Sequence, residues 1–196
     1  MPMTPATDRP ATRWSIYIEQ FIPVCERLVT SGRVGAWGIT GIGIPECILA
    51  AIAGLSYPSA VQCITNPLDS TGELQYFAGP SRAREIIAAA KSRGAGVLGI
   101  RPVQGGALTD TIDRDLPGDH GVMVDFKRST AFRALARELG ISSAALAHRY
   151  AVSMDGVDTV VLGCKNRKEV LECVAAVEAG PLDPAVIARI DAAFAA

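Results

Sequence analysis

Gly96-Val97-Leu98-Gly99-Ile100-Arg101-Pro102-Val103-Gln104-Gly105-Gly106-Ala107-Leu108 passes from a short apolar run into an arginine, a proline and a pair of glycines. Five apolar or small residues closed by turn-formers read as a strand over Gly96–Ile100, too short for a helix. Neither face of that run is polar, the mark of a strand covered on both sides. A helical pattern over residues 81–92, ended by Gly94, comes just before it. Helix, glycine and buried strand in that order are the parts of a parallel α/β unit.

The unit recurs in both directions. Upstream, residues 34–39 and Ala60–Ile64 read as strands, with a helix over Pro45–Ala53 between them closed by Gly54. Downstream, residues 109–125 have no clear period and read as a long loop. Two helices follow over 128–139 and 142–153, parted by Gly140, and then a fourth strand over 159–162. Asn166 followed by Glu169 has the form of a capping box, so the next helix starts there and runs to about Ala179. Gly180-Pro181 ends it, and Asp183-Pro184 starts a last helix with Asp as cap and Pro in the first turn. At the other end, Ile18, Phe21, Ile22, Cys25, Leu28 and Val29 recur at three and four, an amphipathic helix over 15–30 whose start Pro23 draws toward itself. Residues 1–14 read as a flexible arm, and 15–196 as one domain. Four such units fit either an open doubly wound sheet or half of an eight-unit barrel, and periodicity does not choose between them.

Composition narrows the function. The chain has 196 residues and a net charge of −1, without the Lys/Arg excess that nucleic acid or an anionic membrane surface asks for. Its apolar runs stop well short of the ~20 residues of a membrane span. The five cysteines (Cys25, Cys47, Cys63, Cys164 and Cys173) have no metal-ligand spacing and read as free thiols in a reducing, cytoplasmic setting. In either architecture ligands sit at the carboxyl ends of the strands. There stand Thr40-Gly41-Ile42-Gly43, then Gln62 with Thr65-Asn66-Pro67, then Arg101 to Gly106, then Gly163-Cys164-Lys165-Asn166-Arg167-Lys168. The last group, a glycine and three cations at a helix start, suits a phosphate or is a solvated turn. Gln62 in an apolar strand faces a polar interior or pairs with a neighbour. Arg101 faces a ligand or a buried acid. His120 and His148 lie in the loop and on a helix with no nucleophile or carboxylate at a telling spacing.

Taken together these segments resemble the aldo/keto reductases. Ser31 to Thr40 resembles that family's "GKVRAIGVSN" at its fifth strand. Val61 to Leu68 resembles "VQxxYNPL" at the sixth, and Gly99 to Leu108 "AMRPLAGGLL" at the seventh. Ala136 to Tyr150 resembles "A…LGISPAQLALRW", and Thr159 to Val174 "VIPGARNPEQLEEN". The resemblance implies a partial (β/α)8 TIM barrel of about four βα units plus a C-terminal helix. It implies an NADP cofactor, with NAD as the alternative, and a small aldehyde or ketone substrate. Thr40 and Gln62 would hold the nicotinamide carboxamide. Arg101, Pro102, Val103, Gln104, Gly105 and Gly106 would line the nicotinamide and pyrophosphate. Gly163, Lys165, Glu169 and Glu172 would surround the adenosine end. Arg114, Lys127 and Arg128 would close over the phosphates.

Three positions depart from the family pattern: Gly41 and Cys173 stand where Asn is usual, and Glu169 where some members carry Arg. The family's catalytic Asp, Tyr, Lys and His belong to its first four strands, which by this resemblance precede Met1. No catalytic residue is therefore assigned, and the isolated chain is expected to be inactive. A non-catalytic dinucleotide-binding or partner-binding remnant is the alternative. Four strands of a closed barrel would leave two open edges, which invite self-association or pairing with an N-terminal half.

Overall fold

A computed structural model describes residues 13–194; the arm expected over 1–14 falls almost wholly outside the described residues. Four parallel strands, β1 (Gly38–Thr40), β2 (Ala60–Ile64), β3 (Gly96–Ile100) and β4 (Thr159–Val160), form one sheet in the order β1-β2-β3-β4. The chain adds each strand beside the last, with no reversal of direction. A doubly wound sheet needs such a reversal, whereas a barrel wall has none. The fold is thus α/β, an arc of four βα units from a (β/α)8 barrel.

The helices lie along one side of this arc. They are α1 (Trp14–Ile16), α2 (Ile22–Thr30), α3 (Pro45–Ala53), α4 (Ala83–Ser92), α5 (Gly121–Arg128), α6 (Thr130–Glu138), α7 (Ser143–Ser153), α8 (Arg167–Glu178) and α9 (Pro184–Ala192). Val61 and Val97 share a register row and are fully buried, in one core with Ile52, Ile86, Ile87, Phe132, Leu146 and Ile190. That row faces the helices. At the sheet's amino end the Asp158 carboxylate accepts from Val97 N at 2.7 Å and pairs with Lys91 Nζ at 2.8 Å, fixing β4 onto β3.

Two expected start signals are built as read. The Asn166 side chain accepts from Glu169 N at 3.0 Å, and Asp183 accepts from Ala185 N at 2.7 Å. Elsewhere the sequence reading needs correction. The expected loop over 109–125 ends in α5, whose Val122 and Asp125 are buried against the preceding loops. Arg128 closes that helix, and the break before α6 falls at Ser129. The first strand is three residues, not six, and the fourth is two, although Val161 N still donates to Gly99 O at 2.8 Å. α2 starts at Ile22 with Pro23 in its first turn, but the helical course begins earlier, at Trp14. Proline offers no N–H and crowds the carbonyl four residues back, and the chain answers with a wider π turn over Tyr17–Phe21, where Ile22 N donates to Tyr17 O. No helix among the described residues is long and apolar enough to cross a membrane.

Candidate functional site

Because side chains alternate along a strand, the row next to Val61 and Val97 faces away from the helices, toward what is the interior of a closed barrel. That row is Thr40, Gln62, Leu98 and Thr159. Thr40 Oγ1 donates to Gln62 Oε1 at 3.1 Å. Gln62 therefore does both things expected of it: it faces the inner side and it pairs with a neighbour. Its Nε2 has no hydrogen-bond partner among the described residues, so two N–H donors are free beside Thr40, the last residue of β1.

Beyond β3 the chain is held in an unusual shape. Arg101 and Gln104 both have positive φ, 58° and 48°, which side-chain-bearing residues seldom adopt. Strain of that kind persists only where surrounding contacts impose it. Here they do. Gln104 is fully buried; its Oε1 accepts from Arg101 Nε at 2.9 Å and Asn66 Nδ2 at 3.3 Å. Its Nε2 donates to Asp125 Oδ2 at 3.0 Å and Ser70 Oγ at 3.2 Å. Asp125, 3% exposed, also accepts from Ser70 Oγ at 2.6 Å and Arg128 at 3.2 Å. The Gln104 side chain is thus spent on holding the loop, and Pro102 is buried as well.

This network presents Arg101 and Gly105. Arg101 pairs at 2.8 Å with Glu73, an exposed acid and not the buried one that its second reading names. Arg114 reaches back to donate to Gly105 O at 2.8 Å. A methyl group on Gly105 would lie 3.2 Å from the Arg101 guanidinium and 3.6 Å from that of Arg114. Two cations therefore converge on one glycine at the end of β3. Ser70, Glu73 and Asp125, which hold this arrangement with the strand-end Asn66, gave no separate signal in the sequence.

At the end of β4 the turn of residues 163–166 enters α8. The Glu169 carboxylate accepts from Lys165 N at 2.7 Å and Asn166 Nδ2 at 2.9 Å. Lys165 Nζ is ion-paired with Asp113, and the Ser142 hydroxyl donates to Glu172. Both carboxylates expected at the adenosine end are engaged within the fold. Arg167 and Lys168 are exposed and have no acid partner among the described residues.

A family model for the aldo/keto reductase family matches residues 3–195. The chain belongs to the aldo/keto reductase family. Among solved structures it is similar to the aldo-keto reductase AKR11C1 from Bacillus halodurans, holo form, with a TM-score of 0.66 and 22% identity over 90% of this chain and 56% of that one. The apo form of the same protein gives 0.66 and 23%, over 95% and 58%. The glycerol dehydrogenase AKR11B4 from Gluconobacter oxydans gives 0.66 and 20%, over 91% and 54%. This aldo/keto reductase chain thus spans a little over half the length of those structures. A search of curated proteins found no match.

The family motif clarifies Gly41. Its Cβ, were there one, would lie 2.7 Å from Gln62 O and 3.2 Å from Val61 Cγ1, while its N–H donates to that same carbonyl at 2.7 Å. Gly41 pulls β1 tightly onto β2, so an Asn does not fit here without a backbone shift. A reductase of this family also needs a phenol as proton donor, made more acidic by a cation. Tyr150 sits between α4, α7 and α9, bonded to Arg84 and Asp191, and burial and Asp191 push it upward despite Arg84. Tyr17 is likewise raised by burial. Neither is a poised acid at the strand ends.

His148 on α7 is 7% exposed; Nε2 faces Cys173 Sγ at 3.2 Å, and Nδ1 is buried without a partner. Burial lowers its pKa below the ordinary 6.5, opposed by Glu172. The unfolded chain therefore takes up the proton first, so stability is complete above about pH 6.5 and falls as pH drops toward the lowered native value. The loss is at most about 1.4 kcal/mol per pH unit. Denaturant titrations at pH 7.5 and 5.5 should show a smaller pH effect in His148→Asn than in the parent, and parallel losses would refute this.

Proposed function

We propose that the carboxyl ends of the strands hold the nicotinamide and pyrophosphate of NADP, and that the chain is the cofactor-holding part of a reductase of small aldehydes or ketones. The observation that carries this reading is the Thr40–Gln62 pair on the inner face, with the Gln62 amide N–H groups left to donate. A carboxamide oxygen suits that amide, and a pyrophosphate suits the two guanidinium groups at Gly105. The group fits less well at its adenosine end, where Glu169 and Glu172 are occupied; Arg167 and Lys168 are the cations left for a 2′-phosphate, which favours NADP over NAD. The bound dinucleotide would supply the hydride. The residues of this chain orient the nicotinamide ring and neutralise phosphate charge.

Titration of the whole chain with NADPH, read by nicotinamide fluorescence, should saturate, with NADH binding more weakly. Gln62→Ala should weaken NADPH about tenfold, the worth of one to two well-made hydrogen bonds. No signal at millimolar NADPH would sink the proposal. Turnover of a small aldehyde by this chain alone should be absent, since burial raises Tyr17 and Tyr150 and neither pairs with a lysine; the alternative of a non-catalytic dinucleotide binder rests on that same observation.

The proposal includes a partner that completes the barrel. Among the described residues β1 and β4 each pair on one side, and open parallel edges recruit further strands. Beside them the helix entering β1 exposes Ile18, Phe21 and Val24, and α8 exposes Val170, Val174 and Val177. Apolar surface of that kind marks association. Sedimentation should show a dimer or larger assembly, and a stable monomer would count against it.

A further inference from the structure

Cys164 and Cys173 are the two thiols of the described residues that touch. Their sulfurs are 3.8 Å apart, van der Waals contact, although one belongs to the turn after β4 and the other to the second turn of α8. Their surroundings differ. Cys164 is exposed, whereas Cys173 is 6% exposed and backed by His148 Nε2 at 3.2 Å. That imidazole comes from a different helix, is itself more than nine-tenths buried, and leaves its other nitrogen unpartnered. Packing alone explains a buried histidine poorly, because one ring nitrogen loses its hydrogen bond to water and gains nothing. A proton acceptor aimed at a thiol that touches a second, accessible thiol has a chemical use.

We infer that Cys164 and Cys173 form a reversible disulfide under peroxide, with Cys164 as the sulfur oxidised first, Cys173 as the resolving thiol and His148 as the base that takes its proton. In the first step the Cys164 sulfur attacks one oxygen of the peroxide; the S–O bond forms as the O–O bond breaks, and the thiol becomes a sulfenic acid with release of water. In the second, Cys173 sulfur attacks Cys164 sulfur. The Cys173 proton passes to His148 Nε2, the S–S bond forms, and the sulfenic hydroxyl leaves as water once it receives a proton. The peroxide is reduced by two electrons and the thiol pair is oxidised by two.

The environments suit these roles. Burial and the neighbouring Cys164 push the Cys173 thiol up to about 12, so it stays protonated and inert until a base relieves it at the moment of attack. Burial keeps His148 neutral and able to accept. Among the described residues the other cysteines have no thiol in contact; Cys63, fully buried, is pushed up to about 12 by burial alone. Closing the sulfurs from contact to a bond of about 2.05 Å draws the turn of residues 163–166 onto α8. On the cofactor reading above, that turn precedes Arg167 and Lys168, so the oxidised chain should bind NADPH about tenfold more weakly.

The reduced full-length chain is exposed to hydrogen peroxide, the remaining thiols are alkylated, and the digest is mapped by mass. A Cys164–Cys173 peptide pair lacking two hydrogens, restored by dithiothreitol, is the expected result. Cys164→Ser, at an exposed position, should abolish it and leave the other thiols reduced. His148→Asn should slow its formation at least about tenfold while Cys164 accumulates as sulfenic acid, trapped by dimedone. Cys164 overoxidised to sulfinic acid without a disulfide, or a disulfide to any other cysteine, would overturn the assignment. The mapping does not depend on cofactor, so failure of NADPH to bind the reduced chain would overturn the cofactor reading alone. An unchanged NADPH affinity after oxidation would overturn the coupling between the two.

Discussion

Asp125→Ala should destabilise the chain by about 2–4 kcal/mol, the cost of leaving buried donors unsatisfied and vacating the carboxylate's volume. Asp125 is 3% exposed and accepts from Ser70, Gln104 and Arg128. Alanine leaves the Gln104 amide and the Ser70 hydroxyl with donors that water reaches poorly, since Gln104 is fully buried. It also opens a cavity, while the half-exposed Arg128 guanidinium stays solvated. For a chain of this length the loss corresponds to a melting temperature lower by roughly 10 °C. Asp125→Asn keeps an oxygen acceptor for Gln104 and Ser70, which share Oδ2, but turns N–H donors toward the Arg128 guanidinium at Oδ1, and should cost about 1–2 kcal/mol. Because Gln104 and Arg101 are held at positive φ by this network, the alanine variant should bind NADPH more weakly as well. Denaturant unfolding checks the first effect, and a loss below about 1 kcal/mol would show that the loop holds without the carboxylate.

That network shows where the sequence stops being legible. The helix that carries Asp125 has no readable period: residues 109–125 mix Asp, Gly and Pro with isolated apolar side chains. Its first turn is held by burial of Val122 that no period announces, and by a cap from histidine, not one of the usual capping residues, His120 Nδ1 accepting from Val122 N at 3.2 Å. Local propensity is a weak guide wherever packing decides. The caps at Asn166 and Asp183 were legible because each is a local event within three residues. The central strands were legible because both faces are apolar. The outer strands were read too long, because a strand lasts only while a neighbour accepts its hydrogen bonds, and β1 and β4 have one neighbour each among the described residues.

The site divides in the same way. Gln62 and Arg101 stood out as polar residues in or after buried strands; Arg101 follows the end of β3, and Gln62, mid-strand in β2, lies beside Thr40 at the end of β1. That Thr40 would meet Gln62 follows from the parallel register, which no single strand contains. Gln104, which by resemblance would line the nicotinamide and pyrophosphate, is the buried centre of a network. The contact of Cys164 with Cys173 was hidden by a spacing that matches no motif. It exists because the turn before α8 folds the chain back over its second helical turn, and because α7 brings His148 to the same place.

The second large effect belongs to a residue the sequence shows only as part of a strand. Gly99 in β3 lies beside Cys63 of β2 and Val160 of β4. A Cβ there would stand 2.6 Å from Thr65 Oγ1, 2.7 Å from its Cγ2 and 3.1 Å from its Cβ. Thr65 is fully buried, with Oγ1 donating to Ile100 O at 3.3 Å and its own N–H to the same carbonyl at 3.0 Å. It has no room to retreat. Gly99→Ala should therefore cost about 2–3 kcal/mol by overpacking, with the strain falling on the β2–β3 ladder that carries Gln62. Thr65→Ala removes both offending γ atoms, and alone should cost about 1–2 kcal/mol for the lost hydrogen bond and the vacated volume. Combined, the two should lose less than their sum by about 1–2 kcal/mol, because the second relieves the clash made by the first. Denaturant unfolding of the four chains gives that coupling directly. Strict additivity would mean that β3 shifts to take up the methyl group, and that Gly99 is not where β2 and β3 lock together.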